Sequence, residues 1–375
     1  MLAPIRDYFR PRNPKSSPLL CATRDRYFNR LSVKIIPGSP GFEEARWIAS
    51  EHVNVEHLLD VFTFANPNKG RVWVACYHFT QHLYWHKPRQ TILGSKIEAL
   101  PDSHPSKPKC LFVLSRLFER VGNHTEQKRL LTRTLRLERQ RRDLPRIAQT
   151  LGFLSDANHC LKFYEGGVQQ AKGALEIYER LGHTIGQEIS LNSLAWSLFS
   201  HNQLDAAEEA ALHRINLASK IGREFSVCQS HRLLGNIYRS KGSREKAIHH
   251  FKKALEIAPL SHWPRELFWI HYSLAELFLD ENKFEDATTH IGRAKTPAVN
   301  DAYKLGRAME LQALVWYRQR RLKDAKFEVL SALQVYQKLG AADDVKHCKD
   351  LLLKIKRAME SQPISVDSDS TGELL

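Results

Sequence analysis

The feature that most constrains this chain is a repeat with a period of about 40 residues. When the chain is aligned with itself in steps of 40 residues, each aligned position is a column of the repeat. One column holds leucine in five successive units: Leu114, Leu154, Leu194, Leu234 and Leu274. The next column holds only small residues: Ser115, Ser155, Ala195, Gly235, Ala275 and Ala313. A repeat of this length predicts a supersecondary unit that cannot bury its apolar face alone and therefore stacks on its neighbours.

Each unit reads as two helices joined by a tight turn. Apolar residues recur at steps of three and four on both sides of a break, which is the pattern of two amphipathic helices. The break is a turn column: Gly122, Lys162, Asn202, Gly242, Asn282 and Arg320. Glycine and asparagine there supply the left-handed conformation that ends a helix, and the small column lets the two helices approach closely.

The spacing within the units resembles that of the tetratricopeptide (TPR) repeat. The residues that carry the resemblance in the fourth unit are Leu234, Gly235, Tyr238, Ala247, Phe251, Ala254 and Pro259. The first two units depart from the pattern at Gln127, Thr134 and Asn158. The resemblance implies an all-α fold, a right-handed superhelical solenoid of antiparallel helix pairs. The ordinary TPR has about 34 residues. We therefore expect the additional residues of each unit to lengthen the second helix or its following loop.

We predict four regions along the chain. Residues 1–40 form an irregular segment, 41–107 a set of helices with a degenerate repeat, 108–360 six units with a capping helix, and 361–375 a disordered acidic tail. The start, Met1-Leu2-Ala3-Pro4-Ile5-Arg6-Asp7-Tyr8-Phe9-Arg10, resembles the end of the winged helix in fungal STAND-type proteins, which join a NACHT or NB-ARC domain to a TPR array. Similarity to the same group also lies in the stretch Phe42-Glu43-Glu44-Ala45-Arg46-Trp47-Ile48 and in the 40-residue period. That resemblance implies the sensor half of a nucleotide-driven switch.

Composition excludes several classes of protein. The chain has 375 residues, of which 42% are hydrophobic, and no apolar run reaches the ~18–20 residues that a membrane-spanning helix needs. The six cysteines form no C-x-x-C pair, so neither a zinc ribbon nor a dithiol redox motif is predicted. Free thiols in a reducing compartment are the simplest interpretation, which predicts a cytoplasmic protein.

No pattern in the chain predicts catalysis, a metal site or a cofactor. His78, His82 and His86 recur at every fourth position on one predicted helical face, but no acidic ligand stands between them, so exposed or hydrogen-bonded histidines are the favoured interpretation. The chain has no G-x-S-x-G, G-x-G-x-x-G or phosphate-binding G-x-x-x-x-G-K-[ST] sequence. We therefore expect a protein that is not an enzyme.

The formal net charge of +15 raises a second functional interpretation, binding of RNA by a helical repeat. Residues 108–147 hold 11 basic and 4 acidic residues. The basic residues of the second helix there are Lys128, Arg129, Arg133, Arg136, Arg139, Arg141 and Arg142. Because basic and acidic units alternate and no base-reading pair recurs, a solvated face or a contact to another domain is favoured over a nucleic-acid track.

The favoured function is binding of a protein or peptide partner. The TPR resemblance implies a concave groove lined by the first helix of each pair. The candidate groove residues are Arg116, Arg120, Asn192, Trp196, Arg232, Asn236, Arg239, Trp269, Tyr272, Glu276, Glu310, Tyr317 and Arg318. Aromatic rings offer contact area, arginine pairs with carboxylates, and asparagine bonds an extended backbone.

Within this set, Arg232, Asn236 and Arg239 fall one helical turn apart, which resembles the basic and amide clamp with which some TPR proteins hold a carboxylate. With the net charge, this clamp predicts partners that carry acidic groups. Each of these aromatic residues can instead pack between helices. This alternative to partner contact stays open, above all for Trp196 and Trp269. RNA binding and the regulatory half of a STAND protein stay open as alternative functions.

Overall fold

A computed structural model describes residues 93–120, 122–258, 263–298 and 301–361. Within these ranges the chain forms fourteen α-helices and no strand, which confirms the predicted all-α class. The helices are α1 (Leu93–Ala99), α2 (Lys107–Arg120), α3 (His124–Gln140), α4 (Leu144–Cys160), α5 (Tyr164–Arg180), α6 (Thr184–Ser200), α7 (Leu204–Lys220), α8 (Glu224–Ser240), α9 (Arg244–Ile257), α10 (Pro264–Asp280), α11 (Phe284–Lys295), α12 (Ala302–Arg318), α13 (Leu322–Leu339) and α14 (Ala342–Glu360). A 3₁₀ turn, Thr296–Ala298, follows α11.

The regular period of the sequence arises from helices of uniform length. Five consecutive helices, α3 to α7, have 17 residues each and are separated by turns of three residues. The step from the start of one helix to the start of the next is therefore constant, and two such steps make one repeat. The residues beyond the length of an ordinary TPR lengthen helices in this part of the chain. In the fourth and fifth pairs the second helices are shorter, with 14 and 12 residues, and the loop that follows is longer.

The turns between helices share one backbone conformation. All six residues of the predicted turn column have positive φ, including Lys162, Asn202 and Arg320 at 61°, 60° and 61°. In the turn after α6, the N–H of Gln203 donates to the carbonyl of Leu198 at 2.9 Å, which satisfies a carbonyl at the helix end. A chain that leaves a helix this way reverses direction within three residues, so sequential helices run antiparallel.

The chain divides into two compact units, Met1–Ala210 and Ala211–Leu375, and the division falls within α7. In the first unit, α2 packs on α3, α4 on α5, and α6 on both α4 and α5. In the second unit, α8 packs on α9, α10 on α11, and α12 on α13, with α14 packed against α13.

The small column sits where the two helices of a pair touch. Ser115, Ser155, Ala195, Ala275 and Ala313 are fully buried. At Gly235 a Cβ atom would overlap the ring of Phe251, which comes from the second helix of the same pair. The predicted close approach of the helices is therefore present, and in the fourth pair it requires glycine.

Some predicted regions lie outside the described residues. These are 1–40, most of 41–107, and the tail from 362 onward, so the interpretations of the N-terminal segment and of His78, His82 and His86 lie there as well. Within 41–107 the structure describes α1. In the ranges that are described, no helix is both long and apolar enough to cross a membrane.

Two histidine pairs recur one repeat apart in the second unit. Nδ1 of His231 lies 3.0 Å from Nδ1 of His250, and Nδ1 of His271 lies 3.0 Å from Nδ1 of His290. At this distance one ring donates and the other accepts, so at most one proton is shared between them. Burial is the main cause that lowers the pKa of His231 and of His271 to about 4, and the nearby partner histidine is the second cause.

The histidine pairs predict a loss of stability in acid. A histidine whose pKa falls from 6.5 in the unfolded chain to about 4 in the folded chain binds its proton preferentially after unfolding. The free energy of unfolding should therefore decrease as the pH falls from about 6.5 toward 4. Urea denaturation over this pH range measures the effect. His231→Gln combined with His271→Gln should make the decrease shallower, and an unchanged slope in that variant would contradict the assignment.

A second prediction concerns the helix contact at Gly235. Gly235→Ala should destabilise the protein by about 1–3 kcal/mol, because the added methyl group overlaps Phe251. The matched control is Gly292→Ala in α11, where a Cβ meets nothing within 4 Å and alanine should stabilise the helix by up to about 1 kcal/mol. Chemical denaturation of both variants checks the pair. Equal effects would show that helix propensity rather than close packing determines the residue at 235.

Candidate functional site

Each unit has its own candidate site, the surface made by the first helices of its pairs, which we call the first-helix face of that unit. In the first unit it belongs to α2, α4 and α6, and in the second unit to α8, α10 and α12. Contacts between successive first helices recur at similar positions. Arg116 lies over Phe153 and Asp156 accepts from Ser193 in the first unit, while Arg239 bonds Glu276 in the second.

In the first unit, Arg116 is bound to its own surroundings. Its Nε lies 2.6 Å from Oε2 of Glu119, and its guanidinium group lies 3.8 Å from the centre of the Phe153 ring. Arg120 ends α2, and its side chain lies outside what the structure describes. The predicted arginine at this part of the face is therefore held against an aromatic ring and a carboxylate of the same unit.

Asn192 and Trp196 lie one turn apart on α6. Both are partly buried. The Oδ1 atom of Asn192 is buried and has no hydrogen-bond partner among the described residues. The Trp196 ring meets Phe199 edge to face, with centroids 5.9 Å apart, which holds its orientation on the helix.

Asp156 is a residue of this face that the sequence reasoning did not select. It lies on α4, one repeat after Arg116 and one repeat before Trp196. The residue is exposed, and one carboxylate oxygen accepts a hydrogen bond of 2.7 Å from Ser193 Oγ. Although solvent reaches the residue, surrounding protein atoms desolvate the carboxylate and raise its pKa to about 6. Its position in the column of Arg116 is the signal that would have found it.

In the second unit, both arginines of the predicted clamp are paired within the protein. Arg232 Nε lies 3.0 Å from Glu266 Oε2, and these side chains are only 11% and 2% exposed. Arg239 Nη1 lies 2.5 Å from Glu276 Oε2. The clamp prediction thus needs correction: the carboxylates that neutralise Arg232 and Arg239 come from α10, the next first helix. Asn236 lies between them, and its Oδ1 is buried with no partner in the described part of the chain.

Arg232 belongs to a buried polar network. Glu266 also accepts a bond of 3.1 Å from Gln229 Nε2, and the Oε1 atom of Gln229 accepts from Arg214 Nη2 at 3.0 Å. Arg214 stands in a column where most other units have alanine. This network therefore replaces apolar packing with hydrogen bonds at the contact between α7, α8 and α10, and Arg232 has a structural role in it.

The two predicted aromatic residues of α10 differ in exposure. Tyr272 is 6% exposed and stacks on Phe268, with centroids 5.7 Å apart. Burial raises its pKa, and the Arg307 guanidinium lies 5.3 Å from its ring centre. Trp269 is partly buried and meets Tyr272 edge to face. Tyr272 therefore supports the face from inside, which corrects its prediction as a contact residue, and Trp269 remains at the surface.

The remaining predicted residues lie on α10 and α12. Glu310 accepts a bond of 3.1 Å from the Tyr336 hydroxyl, and Tyr317 packs on the core around α13 and α14. Arg318 is exposed, and its Nη1 donates to the carbonyl of Leu279 at 2.9 Å. Glu276 is held by Arg239. Most of these side chains therefore pack in the core of the second unit or bond to other residues of it.

Most arginines of the basic cluster around α3 contact neighbouring residues of the same unit. Arg133 and Arg136 bond the two carboxylate oxygens of Asp102 at 3.0 and 2.7 Å, and this pairing with Arg133 lowers the pKa of Asp102. Arg141 Nη1 donates to the carbonyl of Pro105, and Arg129 pairs with Glu98. These contacts join α3 to Glu98 of α1 and to the segment between α1 and α2, so these arginines contact their own unit rather than another domain.

Comparison with known proteins supports the fold. Residues 228–261 match the family model of the tetratricopeptide repeat, a range that begins in α8 and continues through α9. No curated protein matches the chain. The fourth pair thus matches the TPR model, as the spacing of the fourth unit predicted.

Three solved structures share this fold. The first is a Rap protein complexed with competence and sporulation factor (12% identity, TM-score 0.56, 91% of this chain and 99% of that chain). The second is aspartyl phosphate phosphatase F from Bacillus subtilis (13%, 0.52, 94% and 95%). The third is the Rap conjugation gene regulator of plasmid pLS20 in complex with the Phr* peptide (13%, 0.52, 91% and 98%). At these identities the likeness concerns the fold alone. The resemblance to STAND-type proteins rests on residues 1–10 and 42–48, which lie outside the described ranges, and on the 40-residue period, and it stays a prediction.

The buried ion pair predicts a large effect of substitution at Arg232. Arg232→Met should destabilise the protein by about 3–5 kcal/mol, because it leaves Glu266 buried and unpaired. Arg232→Met combined with Glu266→Gln should recover part of the loss. Chemical denaturation measures both, with Lys252→Ala, an exposed position on α9, as a control that should change stability by less than about 0.5 kcal/mol. A loss below about 1 kcal/mol in the single variant would argue against the internal pair.

Proposed function

We propose that this protein is an interaction scaffold whose first-helix faces bind an extended segment of a protein or peptide partner, without catalysis of its own. The observation that carries the proposal is a pair of asparagines, one in each unit. Oδ1 of Asn192 and Oδ1 of Asn236 are both buried, and neither has a hydrogen-bond partner among the described residues. Both side chains belong to first helices, α6 and α8.

The chemistry of these asparagines suits a peptide backbone. A buried carbonyl oxygen that makes no hydrogen bond costs about 1–3 kcal/mol, so a position that retains one needs an explanation. A peptide N–H that docks on the face supplies the missing donor, and the asparagine NH₂ group can donate to a peptide carbonyl. Such hydrogen bonds recognise the peptide backbone. Any preference for particular peptide side chains then comes from the residues around the asparagines.

The aromatic residues of the two faces have different roles, because some are buried and others are partly exposed. Tyr272 is buried and supports the face, whereas Trp196 in the first unit and Trp269 in the second are partly exposed. A partly exposed tryptophan held by neighbouring rings offers a large contact area and loses little conformational entropy on binding. We therefore assign the two tryptophans, with Asn192 and Asn236, to the proposed binding surface.

The structural relatives support binding more than they support catalysis. The regulator of plasmid pLS20 was solved in complex with the Phr* peptide, so a fold of this type can hold a peptide. Another relative is named a phosphatase, but a likeness at 13% identity transfers no chemistry. A protein-interaction role is the broader statement that both the repeat and its relatives support.

The proposed partner need not be acidic. Arg232 and Arg239 already have internal carboxylates, so the second unit offers no free clamp built from these two residues. RNA binding has less support as well, because Arg133, Arg136 and Arg141 of the main basic cluster bond the segment before α2.

Substitution of the two asparagines tests the proposal. Fluorescein-labelled pools of octapeptides with mixed sequence serve as the probe, and binding is measured by fluorescence anisotropy. Asn192→Ala combined with Asn236→Ala should weaken binding of the pools about twofold to tenfold, because the face of each unit loses one backbone hydrogen bond of about 0.5–1.5 kcal/mol. The matched control is Gln140→Ala, an exposed amide at the end of the second helix α3.

Two results would contradict the proposal. One is wild-type protein that binds no pool, and the other is a double variant that binds as tightly as the Gln140→Ala control. Circular dichroism and urea denaturation of the double variant separate a loss of contact from a loss of structure.

A further inference from the structure

The first unit contains an acidic stretch, although the whole chain has a net charge of +15. Residues 148–210 hold eight acidic and three basic residues. This stretch comprises most of α4, all of α5 and α6, and the beginning of α7. Six of the eight acidic residues lie on the second helices α5 and α7, and the two on first helices are Asp156 and the buried Glu188.

Asp156 is the member of this stretch that lies on the first-helix face. It is exposed, and among the described residues its carboxylate has Ser193 as its hydrogen-bond donor and no cationic side chain in an ion pair. The nearest arginine of the face, Arg116, is engaged with Glu119 at 2.6 Å and with the Phe153 ring. Arg116 attracts the Asp156 carboxylate electrostatically, and the repulsion by Glu119 opposes that attraction. Because neither neighbour forms an ion pair with Asp156, the carboxylate is available to a cation from outside.

The surroundings of Asp156 also suit a cation. Trp196 follows Ser193 by three residues, which places both on the same side of α6. An aromatic ring beside a carboxylate is a favourable place for a guanidinium or ammonium group. The face already holds one guanidinium in this manner, since Arg116 lies 3.8 Å from the centre of the Phe153 ring one repeat earlier.

We infer that the first-helix face of the first unit binds a lysine or arginine side chain of the partner, with Asp156 as the charge acceptor and Trp196 as the aromatic wall. This inference rests on the proposed function and names the partner's chemistry at one position: a basic residue in an extended segment. It reverses the expectation of an acidic partner for this unit. Asp156 is then a specificity-determining residue, and Asn192 holds the backbone on the same face.

The test compares three pools of labelled octapeptides that carry arginine, citrulline or glutamate at a fixed central position. Citrulline keeps the shape of arginine and removes the charge. Wild-type protein should bind the arginine pool at least about fivefold more tightly than the citrulline pool, and the glutamate pool most weakly. Asp156→Asn keeps an oxygen acceptor for Ser193, and it should abolish the preference without weakening the citrulline pool. The control Glu176→Gln removes the same charge from the second helix α5 and should keep the preference.

The outcomes separate this inference from the proposed function. If wild-type protein binds the pools equally, or if Asp156→Asn keeps the arginine preference, the cation site is wrong and the peptide scaffold stands. If Glu176→Gln loses the preference as well, the effect is one of overall charge, which also overturns the assignment to Asp156. If no pool binds at all, the proposed function fails and the cation site fails with it.

Discussion

The close contact between the two helices of each pair is the constraint on which the rest of the structure depends. A column of serine, alanine or glycine brings the helices together, and in the fourth pair only glycine leaves room for the ring of Phe251. The turn then has to reverse the chain within three residues, which it does through a residue with positive φ. Because every pair obeys the same two conditions, the first helices within each unit pack side by side and form that unit's first-helix face.

Much of this could be read from the sequence, because the information is local and repeated. The small column, the turn column and the alanines that contact them all recur at the same step, so the helix pairs and their turns were predictable. Lysine at 162 and arginine at 320 adopt the left-handed conformation in spite of their type, which shows that position in the repeat outweighs residue preference there. The equal length of consecutive helices was not predictable, since either the helix or the loop can hold extra residues.

The candidate site was only partly predictable. The sequence placed arginines, asparagines and aromatic rings on the first helices, but it did not show which of them the protein pairs internally. Arg232 and Arg239 each find their carboxylate almost a full repeat further along the chain, at Glu266 and Glu276. Such partners meet only through the packing of neighbouring repeats, so a residue type that suits a ligand can equally serve the next helix. Asp156 was not predicted, although the same column holds candidate residues in the neighbouring units, because nothing local distinguishes its carboxylate from an ordinary solvated one on a helix.

The uniform spacing of the helices has a consequence for how the chain tolerates changes in length. From α3 to α11, successive helices begin at one constant step, so insertion of a single residue inside a helix would rotate every later side chain of that helix by about 100° and break the columns. Loss or gain of a complete helix pair leaves the columns of the remaining pairs aligned. The chain itself departs from the spacing at α12, which begins earlier than the step would place it, directly after the shortest second helix and a 3₁₀ turn. The loops after α9 and α11 are thus the natural joints for inserting, removing or exchanging repeats.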